Sequence, residues 1–178
     1  LCFWYKLPVD DFPDLDQIEV LSTAMEYDCQ LTCDESSFNI PSESITAQVG
    51  VEFISFNCDN DPVDGDGCEL VLAMLVDADV PIEGRTLPPS ETPLLLSCVN
   101  MTVDEETPLG ACLPLEFKDG VDGTAAIPVK NLVSAQSHAQ TPITHDSEIC
   151  TKPLGPKFFC GGETLNSMGV PGLALGPP

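Results

Sequence analysis

Nine cysteines in 178 residues constrain this chain more than any other feature. Thiols in that number persist as bridges only in an oxidising compartment, so the sequence points to an extracellular or cell-surface protein held by covalent staples. Besides Cys29 to Cys33, three gaps between successive cysteines are short: Cys58 to Cys68, Cys98 to Cys112 and Cys150 to Cys160. Each suits a bridge that closes a loop between neighbouring strands, and these three pairings are the expectation. Cys29 and Cys33 lie four apart, which in an extended strand separates their Cα atoms by about 13 Å. A disulfide needs roughly 4.4–6.8 Å, so these two pair with each other only if the segment turns. Cys2 is then the odd one out, and an unpaired cysteine in a secreted chain suggests an intermolecular bond. The alternative bridges Cys2 to Cys29 or Cys33 and leaves the other free.

Charge narrows the partners. With 29 acidic residues against six basic ones, the net charge is −23. Nucleic acid is excluded as a natural partner, because phosphate recognition needs clustered Lys and Arg. Anionic membrane surfaces are disfavoured for the same reason. No apolar run reaches bilayer-spanning length, and the longest, residues 70–76, has the length of a buried strand, so no membrane insertion is expected. The acidity fits a surface kept soluble by self-repulsion, a high-salt environment, or loops that bind divalent cations.

Apolar, strand-like runs recur every dozen or so residues: 1–7, 18–27, 49–54, 69–77, 93–103, 111–117, 125–135 and 143–149. Gly, Pro and Asp separate them, and no long helical period intervenes, which predicts an all-β sandwich or barrel. Residues 93–103 and 111–117 suggest a hairpin. The last eighteen residues, GGETLNSMGVPGLALGPP, are small, turn-rich and nearly uncharged. The expected organisation is a sandwich over 1–149, followed over 150–178 by a disulfide hairpin and a Gly/Pro-rich tail or linker to a neighbouring module.

Three runs together resemble a known family. GCELVLAMLVDADVPIEGRTLPPSETPLL is similar to a pattern in which an apolar strand runs into D-x-x-x-P-x-x-G-x-T-(I/L)-P-P and then a second apolar strand. LPLEFKDGVDGTAAIPVKNLVSAQS resembles F-x-D-G…P-V-x-N-x-V, and IEVLSTAMEYD resembles the cohesin-type strand G-(F/L)-x-(F/M)-x-(L/V)-x-Y-D. The resemblance, over roughly 18–145, is to cohesin-like modules, akin to carbohydrate-binding modules, of large tandem-repeat secreted bacterial proteins. It implies a jelly-roll-type antiparallel β-sandwich, here disulfide-stapled. Cellulosomal cohesins bind dockerins, but no residue set here carries over as a dockerin face.

The best candidate site is the loop holding Asp59, Asn60, Asp61, Asp64, Asp66 and Glu69. Calcium takes six to eight oxygen ligands from flexible acidic loops, and this one offers five carboxylates and an amide within eleven residues. The spacing departs from an EF-hand, since the third acid falls one place late at Asp64 and no Glu follows at the twelfth position. The same run also reads as a solvated acidic turn. No nucleophile elbow, zinc-ligand pattern or paired-histidine motif accompanies His138 and His145, so no catalytic residue is assigned and the chain is read as a non-enzyme. Asn100-Met101-Thr102 fits the N-glycosylation pattern, but the resemblance to bacterial modules and its place within a strand read it as incidental.

These features converge on an extracellular structural module of a tandem array or filament, assembling through strand or tail contacts with copies of itself or neighbouring modules. The alternative is a binding module for a surface protein or a polysaccharide.

Overall fold

The computed structural model describes residues 1–7, 18–63, 67–77, 85–122, 127–135 and 138–151. Among these residues, ten strands and one short helix form a jelly-roll-type antiparallel sandwich. In chain order they are β1 (Cys2–Leu7), β2 (Val20–Tyr27), β3 (Leu31–Asn39), α1 (Ile45–Val49), β4 (Phe53–Asp59), β5 (Cys68–Leu75), β6 (Ser90–Val103), β7 (Cys112–Phe117), β8 (Leu132–Ala135), β9 (His138–Gln140) and β10 (Ser147–Cys150). One sheet has the order β1-β6-β3. The other runs β10-β7-β2-β5-β4, with β8 pairing β2 and β9 pairing β8.

The two-residue period of a strand sets which side chains meet between the sheets. In β1, Phe3, Tyr5 and Leu7 point inward, while Trp4 and Lys6 are exposed. In β5, Leu70, Leu72 and Met74 are fully buried, followed by Val76. Each such side chain stabilises the fold by roughly 1.5–3 kcal/mol relative to exposure. Phe56 of β4 stacks on Phe38 of β3 at 4.5 Å and meets Phe3 edge-on, joining the sheets through aromatic contacts. A second, smaller cluster lies on the outer face of the larger sheet, where Val121 and Val129 cover Ala24 and Val71.

The run 45–54 divides where simple alternation predicts a strand from Val49. Ser44 caps α1 by accepting the Ala47 N–H, and Gly50 ends it at φ 77°, a left-handed conformation that glycine adopts without a Cβ clash. Strand β4 begins only at Phe53. Strand β3 falls in a stretch whose polar composition hid it: its inner residues Leu31 and Cys33 are buried and its outer ones face solvent. The expected hairpin of residues 93–103 with 111–117 does not form. Strand β6 pairs with β1 and β3, whereas β7 pairs with β2 and β10 in the opposite sheet.

That topology corrects the disulfides. Cys98 bonds Cys2, its cross-strand partner on β1, and not Cys112, which sits in the other sheet. Cys112 bonds Cys150, directly opposite it on β10, so the expected Cys150–Cys160 bridge is replaced. Cys58 and Cys68 lie on neighbouring strands but out of register, since Cys58 faces Leu70. Cys58 instead crosses between the sheets to Cys33, and Cys68 bonds Cys29 in the β2–β3 turn. Cys2 is therefore an intrachain partner and not an intermolecular one. Eight of the nine cysteines are paired, and the ninth, Cys160, lies outside the described residues. So does the rest of the expected tail, from residue 152 onward.

Candidate binding face and the acidic loop

Acidic residues meet across four adjacent strands on the outer face of the larger sheet. Glu116 of β7 stands opposite Glu26 of β2, Glu26 opposite Glu69 of β5, and Glu69 opposite Asp59 of β4. Directly opposed residues have Cβ atoms about 4.5–5.5 Å apart, and like charges there are destabilising. Beside Glu116, Asp146 extends the row by accepting the Phe117 N–H at 2.8 Å.

Two contacts hold the row together. Lys118 forms an ion pair with Glu26. The hydrogen bond and charge of Glu26 hold the Lys118 ammonium above its usual pKa. Glu69 is buried, and its Oε2 accepts the Asp122 N–H at 2.9 Å. The carboxylates that face solvent are thus Glu116 and Asp146, with Glu26, Asp28 and Asp59 half-buried. Glu26, Tyr27, Asp28, Pro114 and Glu116 line a shallow cleft of about 130 Å³. Phe53, 56% exposed, stands on the same outer face at the edge strand β4.

The loop after β4 uses part of its predicted ligand set for structure. Asn60 Oδ1 accepts the Cys33 N–H at 2.8 Å and lies 2.7 Å from the Tyr27 hydroxyl, while its Nδ2 donates to the Cys33 carbonyl at 3.1 Å. The Tyr27 hydroxyl carries one proton and lies equally close, at 2.7 Å, to the Asp59 carbonyl, so the two oxygens share that donor. Asp59 Oδ1 accepts the Asp61 N–H and Asp61 Oδ1 accepts the Val63 N–H, each at 2.8 Å, closing two successive turns. Asp64 and Asp66 lie outside the described residues. Burial first, then the Asp59 and Glu69 charges, pushes the Tyr27 phenol well above its ordinary value, so it stays a neutral donor.

Among the described residues, the side chains of Cys112, Glu148 and Cys150 converge closely enough for a metal. Both sulfurs are spent on their mutual bridge. The acidic row was missed in sequence because its members are far apart along the chain. Only the strand register brings them together.

The motif F-x-D-G…P-V-x-N-x-V acquires a mechanical meaning. Asp119 Oδ1 accepts from both the backbone N–H and Nδ2 of Asn131, and Asn131 Oδ1 in turn accepts the Ala24 N–H and the Thr23 hydroxyl, each at 2.9 Å. This clamp lays the segment after β7 across β2, beside the acidic row.

No protein-family model matches the chain, and no curated protein matches it. Among solved structures it is similar to the third cohesin of ScaC from Acetivibrio cellulolyticus, determined in complex with the ScaB dockerin. The TM-score is 0.56 at 12% identity, over 85% of this chain and 87% of that one. At that identity the likeness speaks for the fold: this chain is a cohesin-like sandwich.

Proposed function

We propose that the chain is an extracellular, non-catalytic protein-binding module whose docking surface is the acidic outer face of the larger sheet. The carrying observation is the cross-strand row Glu116–Glu26–Glu69–Asp59. Lys118 and the Asp122 N–H offset Glu26 and Glu69 within the domain. A partner segment bearing Lys or Arg would pair with the carboxylates of the row that reach solvent. The cleft between Glu26, Asp28 and Glu116 gives one basic side chain a place to enter. The cohesin-like fold, which in the ScaC cohesin engages a dockerin, supports a protein partner. Four disulfides support an oxidising, extracellular setting.

Calorimetric titration with a lysine-rich peptide tests this reading. Neutralising Glu26, Asp28 and Glu116 (E26Q, D28N, E116Q) is expected to weaken binding at least tenfold. Neutralising three acids elsewhere, Asp104, Glu105 and Glu106, should leave most of it. Equal losses in both variants would mean that net charge alone attracts the peptide, and the reading would fail.

A second reading, assembly into a tandem array or filament with neighbouring units, draws on β1. Among the described residues it is an edge strand, and it exposes Trp4 at 51%. Free strand edges pair readily with other chains. Deleting residues 1–7 is a poor test, because that removes Phe3, Tyr5 and Leu7 from the core and Cys2 from its bridge. Trp4→Lys keeps these and should abolish polymers seen by electron microscopy. Filaments that persist in this variant would argue against β1 as the contact.

A further inference from the structure

The outer face of the smaller sheet differs from the acidic one. Strand β6 is its centre, and a β-bulge divides that strand. Phe3 pairs with Ser97 while the next residue, Trp4, pairs with Leu95, which leaves Leu96 as the extra residue. Leu94 and Leu96 pack inward before the bulge, and Val99, Met101 and Val103 pack inward after it. Bulges re-aim the side chains that follow them. Without this one, the even-numbered residues would continue inward. With it, Asn100 and Thr102 are both exposed on the outer face.

Of six asparagines in the chain, only Asn100 begins an N-x-(S/T) sequence, Asn100-Met101-Thr102. The bulge therefore presents the two residues that such a sequence needs and turns Met101 away. Their cross-strand neighbours on β3, Asp34 and Thr32, are short and exposed. The side-chain amide of Asn100 makes no hydrogen bond among the described residues. Its backbone N–H is satisfied separately by Ser37 Oγ at 2.8 Å.

We propose that Asn100 is an N-glycan acceptor and that the outer face of β1-β6-β3 is a sugar-covered face. A lipid-diphosphate-linked oligosaccharide is the donor. The sugar C1 bonds to Asn100 Nδ2, the bond from C1 to the diphosphate breaks, the nitrogen gives up one proton, and the lipid diphosphate leaves. The Thr102 hydroxyl is the recognition element. The four bridges fit an exported chain, and N-glycosylation of N-x-(S/T) sequences is a modification of exported chains. A bulky hydrophilic group at Asn100 covers the centre of this face, competes with assembly through Trp4 of β1, and leaves the acidic face open.

Secretion of the full chain from a eukaryotic host that carries the transferase tests the assignment. Wild type and T102S should migrate as heavier species that a peptide N-glycosidase collapses, and peptide mass mapping should place the sugar on Asn100. N100Q and T102A should migrate as the collapsed form. A secreted wild-type protein with its four bridges intact and Asn100 unmodified would overturn the proposal, and the mass map of wild type decides even if a variant is poorly secreted. Peptide binding at the acidic face should be the same in N100Q, so the two readings fail independently.

Discussion

Asp119 and Asn131 are twelve residues apart, yet one carboxylate oxygen of the first receives both the backbone and the side-chain N–H of the second, at 2.8 and 3.1 Å. Asn131 is 5% exposed and also accepts from Ala24 and Thr23 and donates to the Ala24 carbonyl. Asn131→Ala strips partners from several buried groups at once. The expected cost is about 3 kcal/mol, read from the urea midpoint, because an unsatisfied buried donor or acceptor costs roughly 1–3 kcal/mol. A loss below about 1 kcal/mol would mean that the clamp is incidental.

The same pair sets a pH dependence. The hydrogen bonds from Asn131, backbone first, hold the Asp119 carboxyl below its usual 3.8. A depressed carboxylate contributes stability that is fully present above the unfolded value and is lost as pH falls through the folded one. Asp119→Asn should therefore be less stable than wild type at neutral pH, and the gap should close below 3.8. Denaturation midpoints collected across that range check it, and a gap that persists in acid would point to geometry instead of charge.

Disulfide removal should follow loop length. The Cys2–Cys98 bridge closes a separation of 96 residues, and Cys33–Cys58 one of 25. In the chain-entropy account the first contributes about 4–5 kcal/mol and the second about 3–4. The double serine variant at Cys2 and Cys98 should therefore melt lower than that at Cys33 and Cys58. Mass mapping without reduction should recover the four crosslinked peptide pairs, with Cys160 in none of them.

Asn60 separates a structural role from a ligand role. Replacing it with Ala removes the acceptor of the Cys33 N–H and should cost about 1–2 kcal/mol. The loss should be equal in calcium and in chelator, measured by thermal melting. A larger loss in calcium would place Asn60 oxygen on the ion.

The fold was legible because alternation, turn residues and three motif runs all agree on a sandwich. The motif around Asp119 and Asn131 is legible for a physical reason: its polar residues are the clamp itself. The bridges were not, because spacing along the chain measures strand adjacency only in a meander. Here β6 and β7 follow one another in sequence and lie in opposite sheets. The acidic row and the outward turn of Asn100 were hidden for a related reason. One depends on register between distant strands, the other on a single extra residue at Leu96.

The bridges Cys2–Cys98 and Cys112–Cys150 also shape how the domain would answer to tension. A pull applied at Cys2 and Cys150 passes through the first bridge to residue 98 and through the second to residue 112. Only the 112 − 98 = 14 residue steps between them can be drawn out. At about 3.5 Å per residue the load path lengthens to roughly 50 Å and stops. Every other strand hangs off that short path as covalently closed slack, so even an unfolded domain would act as an almost inextensible link.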